Sequence, residues 1–588
     1  MVADVVFDLP LDRPFSYVVP AALRVSVGQR VRAPLGGRAR TGVVVALRPD
    51  TGEGLKPLLA LVDAAPIVSG TGLELGQWIS AESLSSLGST LLAMLPPPPR
   101  SRRAEAIAPA APRTSHPPGL PAELWTDARR EERLVAALGE APGGALVIAP
   151  DTESAARWAQ RLDAARLDSD AAPAERRASW LASARGRARV VVGTRGALLV
   201  PVVAPATLAL VDEQDPAHKP PGPPRLHSRD ILLRRAELEG SRLVMLAGAP
   251  SVESWHRTPP SAHAHRGLET AWPEVLAADT RGILRNHPLT LPLTRAIESM
   301  GRAGRGTLLV VSRSAGSLGC NDCGAVLRCR DCGVALAVRR DRRSLACRLC
   351  TITDPLPGRC PDCRGHRLAP VGWDAERVEA AVRRRFPKLT VSRVDLEAQV
   401  VIGTPALLRR PRSRPWGAIG FIWLDGLLRV PDFRAGERVF QLLWAAAEAT
   451  GASGRLIVQT LHPHHYAVDA VRLGDRETFY RPELEFRSEL GYPPFRRLCQ
   501  ISARGKTAGG ARLLLDEVST TLRGIPQLTI YPAMALGGTG AVTATRMRFV
   551  VKGPDDLPHR IGPALRPFLE RRRRSHGMVE IEMDPARI

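Results

Sequence analysis

Eight of the nine cysteines in this 588-residue chain fall into four Cys-x-x-Cys pairs within one 44-residue stretch: Cys320/Cys323, Cys329/Cys332, Cys347/Cys350 and Cys360/Cys363. Two thiolates separated by two residues can turn back on a tight knuckle and take adjacent corners of a metal tetrahedron. Eight of them supply two complete Cys₄ sites with none left over. Gly324, Gly333 and Gly365 stand at or near these turns, where a left-handed backbone is expected. A disulfide framework is the competing reading. Against it, the other 544 residues hold one cysteine, and the start MVADVVFDLPLDRPFSYVVP, acidic with an early proline, is unlike a secretory signal. Two zinc ions are therefore expected, structural because protein fills every ligand position. Spacing alone leaves sequential and nested pairing both open. The ninth cysteine, Cys499, reads as a small buried hydrophobe.

A chain of this length exceeds one core, and three to five domains are expected. No apolar run approaches the roughly 20 residues that a membrane span needs. Lys and Arg number 82 against 59 Asp and Glu, a net charge of +23. Lysine occurs only at Lys56, Lys219, Lys388, Lys506 and Lys552, so nearly all the positive charge is arginine. Codon bias can explain the choice of arginine but not the excess, which points to a polyanionic partner.

Residues 1–95 carry short β-branched runs broken by Gly and Pro (VVFDLP, FSYVVP, QRVRAPLG, TGVVVAL), then a helical stretch, LELGQWISAESLSSLGSTLLAML. This reads as a small β-barrel-like module. Residues 96–124, rich in Pro, Ala and Arg, read as a flexible linker. Over 125–270 the apolar runs ALVIAP, ARVVVGT, LALVDE and RLVMLAGAP alternate with amphipathic Arg/Ala-rich stretches, as in a parallel sheet covered on both faces. A second series (GTLLVVS, LTVSRVD, VVIGTPALL, AIGFIWLD, GRLIVQT) starts within 271–317 and resumes over 367–465, interrupted by the cysteine module at 318–366. Residues 466–588 read as a last α+β segment. The fold class is multidomain α/β.

Two consecutive α/β units, the second interrupted by a zinc module, resemble the PriA family of primosomal replication-restart proteins (primosomal protein N′), which are superfamily 2 helicases. The resemblance covers nearly the whole chain. PFSYVVP…VRAPLG is similar to the family's N-terminal 3′-end-binding domain, and VVVGTRGALLVPV with LALVDEQD to its first helicase lobe. VIGTPALL, DFRAGERVFQLL, GRLIVQT, GYPPF and the terminal MDP are similar to its second lobe and C-terminal domain. The resemblance implies two RecA-like lobes and nested metal sites. Cys320, Cys323, Cys360 and Cys363 would hold one zinc; Cys329, Cys332, Cys347 and Cys350, which enclose the 14-residue gap of a ribbon hairpin, would hold the other. It also implies a DNA-end site at Phe15, Ser16, Gly36 and Lys56. Phe15 would stack on the terminal base, Gly36 would admit close backbone approach, and Lys56 would meet a phosphate. Ser16 stands where the family has a carboxylate for the 3′-hydroxyl. A core position is the competing reading for Phe15.

The parts of a motor are mostly missing. No G-x-x-x-x-G-K-[ST] loop occurs, and the lone Gly505-Lys506 lies near the C-terminus. Expected just before ALVIAP, the loop is replaced by REERLVAALGEAPGGA, where no lysine follows Gly143-Gly144. Asp212-Glu213-Gln214-Asp215 stands for the family's Asp-Glu-Glu-His, and Asp212 and Glu213 are expected to be a relic nucleotide site. The Ser-Ala-Thr coupling motif is Ala247-Gly248-Ala249, and the two arginine-finger positions fall on Ala449 and Ala452, a loss worth orders of magnitude in rate. ATP is not an expected ligand. Only the proline-rich linker stands where the family has a winged helix. In the loop DPAHKPPGPPRLHSRD, proline replaces aromatics, leaving Lys219, Arg225 and His227 as phosphate contacts. Arg546, Arg548 and Lys552 alternate along a strand-like run and share one face, a further DNA-binding candidate alongside RRRR at 571–574. A solvated charge run is the competing reading.

Three functions are compatible with these features: a non-catalytic replication restart factor, an active ATP-dependent 3′–5′ helicase with a diverged site, and a zinc-ribbon nucleic-acid or transcription factor. The missing loop disfavours the second and the paired lobes the third. The expectation is a cytoplasmic, nucleoid-associated protein without membrane contact, binding branched or forked DNA and single-stranded DNA. Its expected partners are primosome and replication proteins, among them single-stranded DNA-binding protein and the replicative helicase loading machinery.

Overall fold

The computed structural model describes residues 1–50, 52–99, 121–258, 263–264, 272–281, 287–311, 317–320, 322–323, 325–330, 333–339, 343–347, 352–410, 414–505, 508–535, 546–570 and 577–588. The RRRR run at 571–574, Cys332, Cys350, Gly324 and Lys506 lie outside these residues, as do 100–120 of the segment read as a linker.

Strands β1 (Val2–Phe7), β2 (Phe15–Val18), β3 (Arg30–Leu35), β4 (Arg38–Arg48) and β5 (Ala60–Leu61) form an antiparallel sheet in the order β2-β1-β4-β3-β5. Val18 bridges Pro57, just ahead of β5, so the two edges of the strip approach and curl it into a barrel-like module. The β3–β4 hairpin turns on Gly36 and Gly37, at φ +60° and +78°, the two-residue turn that side chains disfavour. Helices α1 (Gly70–Ser83) and α2 (Leu87–Met94) are N-capped by Ser69 and Ser86. Their Leu73, Ile79, Leu91 and Met94 enter a core shared with the next sheet.

That sheet, lobe 1, is parallel throughout. It comprises β6 (Glu123–Trp125), β7 (Ala145–Ile148), β8 (Ala165–Leu167), β9 (Val190–Gly193), β10 (Thr207–Leu210), β11 (Arg242–Leu246) and β12 (His263–Ala264), in the order β12-β6-β11-β10-β7-β9-β8. Strands β7 and β10 are buried at every residue, as a sheet covered on both faces requires. The covering helices are α3 (Arg130–Glu140), α4 (Thr152–Leu162), α5 (Pro173–Ala184) and α6 (Ser228–Glu239), with α7 (Val252–Arg257) leading out. Strand β6 begins inside the segment read as a linker and pairs with β11, so the sheet starts earlier than residue 125. The fully buried Asp63 of the first module bonds Arg30 at 2.6 Å and Arg177 of α5 at 2.8 Å, fastening the two bodies together.

Lobe 2 begins with β13 (Glu274–Asp279), α8 (Leu291–Arg302) and β14 (Thr307–Val310). The chain then makes a small antiparallel sheet, β18-β17-β16-β15-β19, from β15 (Ser317–Cys320), β16 (Ala337–Val338), β17 (Ser344–Ala346), β18 (Thr353–Pro355) and β19 (Leu368–Val371). Helix α9 (Ala375–Arg385) leads back to β20 (Val391–Ser392), β21 (Val400–Gly403), β22 (Ala418–Phe421), α10 (Asp425–Leu428), α11 (Ala435–Thr450) and β23 (Arg455–Thr460). The lobe 2 sheet is again parallel, in the order β13-β23-β22-β14-β21-β20.

Helices α12 (Tyr466–Leu473) and α13 (Glu477–Leu490) belong to lobe 2. Ala467, Val471, Phe479 and Tyr480 sit in its core beside Phe440 and Trp444, so the last domain begins later than residue 466. That domain is an antiparallel sheet of β24 (Arg497–Arg504), β25 (Thr529–Ile530), β26 (Met534–Ala535), β27 (Arg546–Gly553) and β28 (Met578–Met583), covered by α14 (Ala508–Leu522) and α15 (Leu557–Glu570). Cys499 is fully buried in its core. Among the described residues no helix is long and apolar enough to cross a membrane.

Candidate metal centre and interlobe cleft

All four Cys-x-x-Cys units begin with the same turn. The backbone N–H of the first cysteine donates to the carbonyl five residues on: Cys320 to Ala325, Cys329 to Val334, Cys347 to Ile352 and Cys360 to Gly365, at 2.8–2.9 Å. The outer pairs converge. The sulfurs of Cys320, Cys323, Cys360 and Cys363 all lie within 4.8 Å of one another, with Cys320–Cys363 at 3.6 Å and Cys323–Cys360 at 3.7 Å. A tetrahedron with Zn–S bonds of about 2.3 Å has edges of about 3.8 Å, so the sulfurs are spaced for a metal and too far apart for a disulfide. The N–H groups of Asp322 and Gly365 point at the Cys320 and Cys363 sulfurs. The Cys320 thiol is drawn down to about 7, first by the Cys323 N–H, whereas Cys363, despite the Gly365 N–H, is pushed up to about 12 by bonds with its neighbouring thiols. Cys329 and Cys347 of the inner set are both buried. Gly333 takes φ +69° as expected, but at the fourth knuckle Arg364 holds the left-handed position. Gly365 serves another purpose, because a Cβ there would lie 2.1 Å from an Asp322 carboxylate oxygen.

In lobe 1 the chain leaves β6 across two strands to β7 and returns through β10 and β11. In a sheet of this order the ligand position is the crevice at the switch point, here the carboxyl ends of β6, β11 and β10. The phosphate loop would be residues 126–129, between β6 and α3, and not the segment ahead of β7 where it was expected. Gly143 and Gly144 lie at the opposite edge, where a Cβ would meet the backbone of Pro205 or Val203 at 1.9 and 2.8 Å. The true loop and first helical turn read TDARREE, with no glycine and no lysine. Arg130 crosses the crevice and holds Glu448, near the end of α11, through two bonds of 3.0 and 2.8 Å. Trp444 Nε1 donates to the same carboxylate at 3.2 Å. Gly248 of the coupling segment gives it room, since a Cβ there would lie 2.5 Å from a Glu448 oxygen. Neither Arg130 nor Glu448 was singled out from the sequence; the signal was a three-residue strand hidden at the end of the proline-rich stretch.

The acidic box divides. Asp212 is half-buried at φ +51°; burial pushes its carboxyl above the usual range, opposed by the Arg130 charge. Glu213 is wholly buried and takes bonds from Arg229 Nη1 (2.9 Å), Ser251 N (2.9 Å), Ser251 Oγ (2.6 Å) and Ser254 Oγ (2.6 Å). Four protein donors already engage this buried carboxylate, so the expected nucleotide role does not fit Glu213: it fixes the start of α7. Behind it a buried network joins the lobes. Arg434 pairs with Glu253 and Glu437, and Arg487 bonds Glu437 at 2.8 Å and Glu483 at 2.9 Å. Burial disfavours the Glu253 charge, yet Arg434 and Arg487 hold its carboxyl well below the usual range. Ala449 lies in the last turn of α11 beside Glu448, and Ala452 is exposed after the helix.

The N-terminal candidates share one module. Phe15 is half-buried, edge-on to Phe7 at 5.8 Å, with the Arg13 guanidinium 5.7 Å from its ring centre. Ser16 Oγ donates at 2.7 Å to Asp4, its cross-strand partner, and Arg48 bonds both Asp4 oxygens at 3.0 and 2.9 Å. A carboxylate thus does stand beside Ser16, supplied by β1. Lys56 is exposed, and its carbonyl accepts from Val18 N at 3.0 Å. Nothing lies within 4 Å of a Cβ built on Gly36, so its backbone is open to approach.

The other basic candidates are engaged internally. Lys552 is 7% exposed, its ammonium on the Leu490 carbonyl at 2.6 Å and 4.5 Å from the Tyr492 ring centre. Arg546 bonds Glu580 at 2.7 Å, and the half-buried Arg548 bonds Gln500 at 2.8 Å. This face packs against its own sheet and the end of α13, and does not present three free cations to DNA. The loop 215–230 is likewise docked. Lys219 holds the carbonyls of Met583 and Asp584, Arg225 bonds the Ile581 carbonyl at 3.1 Å, and His227 Nδ1 accepts from Arg229 N. Lys219 and Arg225 clamp β28 and the residue after it, and His227 caps the start of α6, where phosphate contacts were expected.

Two family models match the chain: the PriA 3′ DNA-binding domain over residues 4–96 and the primosomal protein N C-terminal domain over residues 488–586. Among curated proteins, a replication restart protein PriA of Treponema pallidum (strain Nichols) is 27% identical over 664 residues, covering 100% of this chain and 99% of that protein. The protein of the same name from Bacillus subtilis (strain 168) is 25% identical over 417 residues, covering 64% of this chain and only 52% of the relative. Among solved structures, RecG bound to a three-way DNA junction matches at 10% identity and a TM-score of 0.36, over 71% of this chain and 47% of that one, a likeness too slight to carry an argument. With family models matching at both ends and relatives of one name running between them, the chain is similar along its whole length to the replication restart proteins PriA.

Proposed function

We propose that this chain is a replication restart factor that binds abandoned or stalled forks and starts primosome assembly without hydrolysing ATP. One observation carries the absence of hydrolysis. Glu448, Asp212 and Glu131 all act on Arg130 at the head of α3, where a triphosphate would have to sit. Phosphate oxygens entering that crevice would meet like charge in place of a lysine and an amide cradle.

DNA binding is supported by the net charge of +23 and by the N-terminal barrel, which offers an exposed Lys56, a half-exposed Phe15 and an open turn at Gly36. Zinc fits the outer sulfur tetrad, and the repeated knuckle turns support a second ion at Cys329, Cys332, Cys347 and Cys350. Both ions would be structural, holding a docking module on lobe 2. Its partners would be single-stranded DNA-binding protein and the replicative helicase loading machinery, met in the cytoplasm at the nucleoid.

The test measures ATP turnover and fork binding together, on synthetic forks whose leading-strand 3′ end is free or blocked. Tight, salt-sensitive binding that prefers the free 3′-hydroxyl, with no turnover, is expected. DNA-stimulated turnover abolished by Asp212→Ala would overturn the non-catalytic reading, and equal binding to both forks would overturn the end preference.

A further inference from the structure

Helicase-like lobes ordinarily close around a ligand bound between them, the ligand supplying the differential contacts that favour the closed state. Here the corresponding contacts are made by the chain itself. Glu448 of lobe 2 places its carboxylate on Arg130, in the first turn of α3, at the switch point of the lobe 1 sheet. A carboxylate carries the charge and acceptor geometry that a phosphate would bring to the same guanidinium. We propose that Glu448 is a built-in anion that latches lobe 2 onto lobe 1 and holds the pair closed with no nucleotide present.

Three further groups of contacts act with this latch across the closed arrangement. Arg476 at the head of α13 donates to the carbonyls of Gly248 at 2.7 Å and Thr126 at 2.6 Å, one from each of two lobe 1 loops that border the crevice. Tyr480 donates to the Pro250 carbonyl at 2.6 Å and stacks on Trp255 at 4.2 Å. Deeper in, Glu437 accepts from Val252 N at 2.9 Å while Arg434 pairs with Glu253. Opening the lobes would expose or orphan every one of these groups, and buried polar groups left without partners are costly. Glu448 is the member at the mouth of the crevice, about a quarter exposed, so removing it releases the latch without hollowing the core. The latch is a property of the two lobes and holds whichever DNA the chain binds.

Hydrogen exchange on the full-length protein, read by mass spectrometry over residues 244–256 and 440–450 and paired with small-angle scattering, tests the latch. In the native chain, exchange and radius of gyration should not change when ATP or ADP with magnesium is added. Glu448→Ala should speed exchange in both segments by about tenfold and enlarge the particle, and Arg130→Gln should do the same. The double exchange Arg130→Glu with Glu448→Arg should restore protection. The proposal is overturned by unchanged exchange in both single variants, by a nucleotide-induced compaction of the native chain, or by a double variant as open as the singles.

Discussion

Replacing Glu213 by alanine separates a catalytic acid from a structural one. The carboxylate is at zero exposure and receives four bonds, one of them from the Arg229 guanidinium. Removing one partner of a buried ion pair costs about 3–5 kcal/mol. Leaving a buried N–H such as that of Ser251 unsatisfied costs about 1–3 kcal/mol. Because these groups share one network their costs overlap, and a total of about 4 kcal/mol is expected. Domain stabilities run at about 5–15 kcal/mol, so the loss brings lobe 1 near its threshold. Glu213→Gln keeps the shape and one acceptor and should cost about 2 kcal/mol. Asp212→Asn, at a half-exposed position, should cost less than about 1 kcal/mol. Urea unfolding followed by tryptophan fluorescence measures all three, because Trp255 lies one turn beyond Ser251 and stacks on Tyr480. The midpoint should move in the order Ala, Gln, Asn at nearly constant slope. A Glu213→Ala protein with the native midpoint would refute the structural role, as would one that folds normally but loses a magnesium-dependent ATP turnover.

Elemental analysis should find two zinc ions per chain, falling to one in Cys360→Ser with faster exchange over residues 317–371; two ions retained in that variant would contradict the outer tetrad. In the N-terminal barrel, Lys56→Ala should lower the salt slope of fork binding by about one. Lys552→Met should leave that slope unchanged and lower the melting temperature instead; the reverse pattern in fork titrations would refute the assignment of these two cations. Burial lowers the pKa of both His218 and His227 in the fold, whereas the unfolded chain protonates near 6.5. Below about pH 6.5 the unfolded state therefore binds protons that the folded state refuses, and stability falls by up to about 1.4 kcal/mol per pH unit for each histidine. Melting temperatures from pH 7.5 to 5.5 should show this fall, and His218→Gln should flatten it.

Much of the scaffold was readable from local pattern. The β-rich first module, the strands of both parallel sheets and the knuckles carry their own signals: β-branched runs, fully apolar strands and cysteine spacing. What stayed hidden had no local signal. Strand β6 is three residues long, and it is strand order, a non-local property, that makes the loop after it the ligand loop. Searching for glycine-rich sequence instead led to Gly143 and Gly144, which pack against 203–205 at the wrong edge of the sheet. The same limit applied to charge. A strand-face pattern placed Arg546, Arg548 and Lys552 together, but the sequence gives no sign that Glu580, Gln500 and Leu490 already meet them. Asp4 was missed beside Ser16 because their contact depends on the register of β1 with β2.

The arginine surplus has the same ambiguity, and the cleft between the lobes shows how it resolves. A crevice without a ligand cannot keep its polar edges bare, because unsatisfied donors and carbonyls cost more inside a protein than in water. In this chain the positions that would serve a nucleotide are neither vacant nor apolar. Arg130 holds Glu448, Arg476 caps the Gly248 and Thr126 carbonyls, and Glu213 gathers Arg229 with two serines. Each exchange turns a group that would have contacted ligand into one that contacts the other lobe or the next helix. On the proposed reading, loss of the motor and closure of the scaffold are one change seen from two sides. Lobes latched in this way would hold the barrel, the cysteine module and the last domain at fixed spacing on branched DNA, as the proposed binding function requires.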